Sequence, residues 1–91
     1  MQRLNYHHLH YFWCVAKLGK LTDAARMLNV SQSALSTQIA LLEDILGQPL
    51  FIRRGRRMEL SESGRIAFSY ADEIFKRGEE MAALLMKGER P

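Results

Sequence analysis

Ninety-one residues, 47% of them hydrophobic and 25% charged, suffice for one modest core and exclude both a second lobe and a disordered chain. A single cysteine, Cys14, excludes an internal disulfide, and no stretch approaches the roughly 18 apolar residues of a membrane span. The net charge of +3 is unevenly spread: residues 1–60 carry eight Lys/Arg against four Asp/Glu (+4), and residues 61–91 carry five against six (−1). A basic part beside a nearly neutral one points to a polyanionic partner.

The first helix is predicted from about Tyr6 to Leu18. Asn5 is its N-cap, Leu4 and Leu9 form a hydrophobic staple, and Leu9, Phe12, Trp13 and Ala16 mark the buried face. Gly19 supplies the left-handed stop. A short second helix is expected from about Asp23 to Leu28, capped by Thr22, with Ala24 and Ala25 small enough for close helix contact. Asn29-Val30 makes a tight turn, because asparagine tolerates left-handed backbone angles.

The third helix starts at the cap Ser31 and runs to about Leu46, where Gly47 and Pro49 stop it. Leu35, Ile39, Leu42 and Leu46 are expected to face the core. The opposite face reads Ser33, Ser36, Thr37 and Ala40, small and uncharged. Two short extended runs follow, 49–52 and 58–60. Between them Arg53-Arg54-Gly55-Arg56-Arg57 is predicted as the basic tip of a β-hairpin. Ser61 caps a last helix from about Glu62 to Met86, roughly 25 residues and about 37 Å long at 1.5 Å per residue. Ala67, Tyr70, Ile74, Met81 and Leu85 keep near-heptad spacing along it, interrupted at Arg77-Gly78. The stripe is too long for so small a domain to cover.

The second and third helices, joined by a turn of about three residues, form a helix-turn-helix. A helix that enters a major groove about 12 Å wide needs small side chains for approach and hydroxyl or amide groups for base edges. Gln32, Ser33, Ser36, Thr37 and Ala40 supply them. Taken alone, such a face more often belongs to an ordinary amphipathic helix with a solvated side, but solvated faces usually carry Lys and Glu. The acids here, Glu43 and Asp44, are confined to the far end. Free N–H groups at the start of this helix suit a phosphate. The arginine hairpin suits phosphate contact or a narrow minor groove, where the negative potential is enhanced.

The run Ala24-Ala25-Arg26-Met27-Leu28-Asn29-Val30-Ser31-Gln32-Ser33-Ala34-Leu35-Ser36-Thr37-Gln38-Ile39 resembles the helix-turn-helix of LysR-type transcriptional regulators. So do Leu42-Glu43-Asp44, Leu46-Gly47, Leu50-Phe51, Arg53 and Leu60-Ser61-Glu62-Ser63-Gly64, and the resemblance covers essentially the whole chain. Within the family, Asn5 to Trp13 and Tyr70 to Phe75 resemble regulators of sodium/proton antiporters. The resemblance implies a mainly α fold: a winged helix-turn-helix of three helices plus a two-stranded wing over 1–61, then a linker and dimerisation helix over 62–91. It implies that Ser31, Gln32, Ser33, Ser36, Thr37, Arg53, Arg54 and Arg56 meet double-stranded DNA, and that Ala67, Tyr70, Ile74, Met81 and Leu85 join two subunits on an inverted-repeat operator. Two departures stand out: Ser33-Ala34 lacks the proline common there, and Thr37 replaces a frequent arginine. Family members continue into an effector-binding domain after the long helix. The chain is therefore expected to be an N-terminal part of a cytoplasmic, nucleoid-associated regulator, a tetramer at full length, with effector sensing outside these residues.

No cofactor or metal is expected. His7 and His10 share a face, but no cysteine or acid pattern completes a site around them. Cys14 and Trp13 read as core residues. Asn29-Val30-Ser31 matches a glycosylation sequon, but Tyr6, His7, His8 and His10 break up any secretion signal before it. A protein-binding module built on the same helices is the alternative function. An enzyme is the least expected class, since no acid, base and nucleophile converge.

Overall fold

The computed structural model describes residues 4–87; the ends of the two expected segments, 1–3 and 88–91, lie outside them. The order is α1 (Tyr6–Leu18), α2 (Leu21–Leu28), α3 (Gln32–Leu46), β1 (Phe51–Arg54), β2 (Arg57–Leu60) and α4 (Glu62–Met86). It is the expected winged helix-turn-helix with a long terminal helix.

Local chemistry sets most boundaries. The Asn5 side-chain oxygen accepts from the N–H groups of His7 and His8 at 2.9 and 3.2 Å, satisfying two orphan donors of α1. Gly19 closes α1 at φ 74° and Asn29 closes α2 at φ 58°, both left-handed. Ser31 caps α3 by accepting from Ala34 N–H at 3.1 Å. Ser61 caps α4 by accepting from Gly64 N–H at 2.9 Å, and its hydroxyl donates to the Pro49 carbonyl at 2.6 Å.

Three expectations need correction. Helix α2 begins at Leu21, not Asp23, and its N-cap is Lys20, which makes no side-chain cap bond. The half-buried Leu21 packs against the Val15–Ala24–Leu35 cluster, so tertiary packing fixes this first turn and Thr22 lies inside it. Leu46, expected in the core, is 41% exposed, because Gly47 ends the helix just as Leu46 swings past the rim. The hairpin tip is not five residues long. Arg54 pairs with Arg57, which leaves a two-residue turn, Gly55-Arg56, with Gly55 at φ 60°. A glycine in the first central position is what a type II′ hairpin turn needs.

The core has two lobes. One gathers Val15, Ala24, Ala25, Leu35 and Ile39 where α1, α2 and α3 meet. The other gathers Leu9, Phe12, Trp13, Cys14, Leu42, Leu50 and Ala71, with Phe68 and Phe75 packed on it. This second lobe binds the first half of α4 to the body. Trp13 Nε1 donates to Asp72 Oδ1 at 3.0 Å, and the Lys17 ammonium sits 3.9 Å from the centre of the Trp13 ring. Gly64 is buried against Leu50; a β-carbon added there would overlap the Leu50 carbonyl oxygen. From Lys76 to Lys87, by contrast, every residue except Ala82 is exposed.

Candidate nucleic-acid interface

Register decides which arginines can act together. Paired strand residues share a face, so Phe51, Arg53, Met58 and Leu60 lie on one side of the wing. Phe51, Met58 and Leu60 are half-buried against the body, which turns Arg53 towards the helices. Ile52, Arg54, Arg57 and Glu59 lie on the other side, where Arg54 Nε donates to Glu59 Oε1 at 2.8 Å. Both partners are largely exposed, so this pair adds little stability. Among the described residues neither Arg53 nor Arg56 has an ion pair of this kind. Two further contacts hold the wing in place: Met58 N–H donates to the Gly19 carbonyl at 2.9 Å, and the Phe51 and Phe12 rings lie 5.2 Å apart.

An open concavity separates the wing from the helix-turn-helix. Lys20, Thr22, Asp23, Gln32, Arg53 and Arg56 line it. A second concavity, between α3 and the wing, is lined by Ser36, Ile39, Ala40, Glu43, Phe51 and Arg53. Arg53 borders both. The structure thus brings Gln32 and Ser36 of α3 together with Arg53 and Arg56 of the wing, four residues expected at the site. Ser31, Ser33 and Thr37 are exposed on the same helix start; Arg54 stands apart on the wing's far face.

The hydroxyls differ in what they have left to offer. Ser31 Oγ is 3.3 Å from Ser33 Oγ and already accepts the capping bond. Thr37 Oγ1 donates to the Ser33 carbonyl at 2.9 Å. Glu43, which lines the concavity between α3 and the wing, is occupied too: its Oε2 accepts from the N–H groups of Leu50 and Phe51 at 2.7 and 3.3 Å. The negative charge at the end of α3 therefore ties the helix to β1.

Sequence reasoning missed Lys20 and used Thr22 only as a cap. Both are exposed beside the wing. Their neighbourhood depends on the long-range bond between Gly19 and Met58, which no local pattern announces. Burial pushes the Cys14 thiol above its ordinary pKa, so it stays protonated and behaves as a small core residue. Among the described residues no cluster of three or more His, Cys, Asp and Glu side chains suits a metal, and no helix is long and apolar enough to cross a membrane.

Comparison with known proteins gives a consistent set of likenesses. Residues 6–65 match the family described as "Bacterial regulatory helix-turn-helix protein, lysR family". The transcriptional activator protein NhaR of Escherichia coli is 42% identical over 81 residues, which are 89% of this chain and 27% of that protein. The DNA-binding domain of BenM, solved as a complex with benA site 1 DNA, superposes with a TM-score of 0.81 at 30% identity, covering 91% of this chain and 96% of that one. Full-length CbnR in complex with its target DNA gives a TM-score of 0.75 at 31% identity, over 88% of this chain and 29% of that one. The chain therefore spans about a quarter of the length of the full-size relatives it matches.

Proposed function

The chain belongs to the LysR family of bacterial regulatory helix-turn-helix proteins, and on that premise we propose that it is the DNA-binding part of a transcriptional regulator. It binds double-stranded DNA sequence-specifically, as a dimer, on an inverted repeat. The observation that carries this reading is the shared concavity of Gln32, Arg53 and Arg56: an uncharged helix start and an arginine wing border one opening. The relatives solved with DNA, BenM and CbnR, support it through their likeness in fold.

In this reading α3 enters the major groove. Gln32, Ser33 and Ser36 meet base edges, with Gln32 suited to a two-point contact with adenine, and Thr37 joins them one turn further on. Ser31 and the first N–H groups of α3 face a phosphate. Arg53 and Arg56 bind backbone phosphates or a narrow minor groove, with Lys20 and Thr22 flanking them; Arg54 contributes at the outer edge.

The exposed apolar stripe of α4 is the dimer surface. Tyr70, Ile74, Met81 and Leu85 are 67%, 40%, 59% and 61% exposed, while Ala67 is half-buried at the border with the body. The stripe is self-complementary under an antiparallel two-fold. In one register Ile66 meets Leu85, Ala67 meets Leu84, Tyr70 meets Met81, and Ile74 meets the aliphatic stem of Arg77. Two copies so joined carry two α3 helices to one face of DNA, roughly 34–36 Å apart. Effector sensing and assembly to a tetramer belong to residues outside this chain, and the site of action is the cytoplasmic nucleoid.

Gel shifts of the chain on mixed genomic DNA fragments at two salt concentrations test the proposal. A subset of fragments should remain bound at the higher salt. Uniform binding lost at higher salt would mean non-specific attraction alone, and no shift at either would favour a protein-binding module.

A further inference from the structure

We infer that Thr37 is a specificity-determining residue that recognises the 5-methyl group of a thymine through its own methyl group, and not a hydrogen-bonding reader. The inference rests on the DNA-binding reading above. A threonine hydroxyl has one proton, and Thr37 Oγ1 already donates it to the Ser33 carbonyl at 2.9 Å. This back-bond inside α3 leaves no donor for guanine O6 or N7, adenine N7 or thymine O4, the major-groove acceptors that a hydroxyl would otherwise serve. What the side chain still presents is an exposed β-branched methyl and a weak acceptor lone pair.

The surroundings match the methyl and not the lone pair. One turn on from Thr37 are Ser33 and Ala34 on one side and Ala40 and Leu41 on the other, all exposed, and Leu41 is 43% so. Leu41 is an aliphatic side chain left substantially open on this face. Together with Thr37 it forms a methyl-lined strip running along α3 away from the hydroxyl-rich start at Ser31 and Ser33. Thymine is the base that carries a methyl group into the major groove, and apolar contact with it is how such a surface discriminates. The helix thus divides its reading: polar groups at its start, methyl groups from Thr37 onward.

The test begins by selecting preferred sites from random duplexes with the 91-residue chain, then replacing each thymine in turn by deoxyuridine, which removes only the 5-methyl. Two symmetry-related positions, one in each half-site, should each lose affinity by about fourfold, the weight of one buried methyl group. At those positions Thr37→Val, which keeps the methyl and removes the hydroxyl, should retain both affinity and the deoxyuridine effect. Thr37→Ser, which keeps the hydroxyl and removes the methyl, should bind both duplexes equally. Circular dichroism melts of both variants establish that they are folded. Thr37→Val binding weakly while folded, or no thymine whose methyl matters to the unaltered chain, would overturn the inference and leave sequence-specific binding standing. Failure of the unaltered chain to select any site would instead overturn the DNA-binding reading, and this inference with it.

Discussion

Helices α3 and α4 are both amphipathic and both leave one face uncovered, yet the two open faces have opposite chemistry. That of α3 is small, hydroxylated and uncharged at its start: Gln32, Ser33, Ser36, Thr37 and Ala40. That of α4 is large and apolar: Ile66, Tyr70, Ile74, Met81 and Leu85, most of it more than half exposed. An exposed apolar stripe of that size is the kind of surface on which proteins associate. The α3 face offers no such stripe and gains only against a partner rich in donors, acceptors and methyl groups. Exposure by itself therefore says little; the kind of side chain left exposed distinguishes an association surface from a reading surface.

The contrast breaks most visibly at α4. Ile74→Asp with Met81→Asp places four carboxylates in the proposed dimer, since each substitution occurs twice. With about 1.5–3 kcal/mol for each apolar side chain kept from water, self-association should weaken on the order of a thousandfold or more. Helix content should be unchanged. Sedimentation at micromolar concentration reads this directly; unaltered mass in a chain that is otherwise dimeric would remove the stripe from the interface.

The packed beginning of α4 should respond differently. Gly64→Ala forces a methyl group into the Leu50 carbonyl, a backbone atom that cannot swing aside. About 3 kcal/mol of destabilisation is expected, a fall of more than about 10 °C in melting temperature. An unchanged melt would mean that α4 is less tightly seated on the body than its buried glycine implies.

Substitutions on α3 should leave stability alone and alter discrimination. Gln32→Ala is expected to reduce preference for a selected site over random DNA by roughly 1–3 kcal/mol. An equal loss on both DNAs would make Gln32 a positioning residue. The wing should do the converse. Arg53→Ala or Arg56→Ala should shallow the log–log salt dependence by about 0.9 each while affecting all sequences alike. Arg54→Ala should do less, because Arg54 faces away and shares its charge with Glu59. An Arg54 effect as large as that of Arg56 would mean that the ion pair opens on DNA.

The smallest effect is a pH effect within the body. Hydrogen bonds from Trp13 and then Lys76, with the positive charge of Lys76, hold the Asp72 carboxyl below its ordinary pKa. A depressed folded-state pKa means stability that is present above the ordinary value of 3.8 and lost as pH falls through the folded value. Asp72→Asn should lower the melting temperature slightly at neutral pH, converge with the unaltered chain at low pH, and so flatten the acid limb below about pH 4. A profile identical to that of the unaltered chain would show that this contact is not maintained in solution.

What the sequence disclosed follows the range of the forces involved. Asn5, Ser31 and Ser61 were legible as caps because a cap bonds within three residues of itself. Gly19 and Gly47 were legible as stops for the same reason. Thr22 misled because the burial of Leu21, a contact with distant residues, governs that turn. The arginine run looked like one undivided tip, since no local rule says where strand pairing ends. Only the register separates Arg53 from Arg54, and only the bond from Met58 to Gly19 brings Lys20 beside them. On α4 the spacing revealed the stripe but not that Phe68, Ala71 and Phe75 hold the helix's first half to Trp13.

If α3 supplies sequence preference and the wing supplies general attraction to DNA, the two contributions should separate in a salt series. Titrating the chain by fluorescence anisotropy against a selected inverted repeat and a scrambled duplex, across a series of salt concentrations, tests this most directly. Two steep log–log lines of similar slope are expected, with the selected site binding at least about a hundredfold more tightly throughout. Superimposed lines would contradict this, because the uncharged face of α3 would then read nothing.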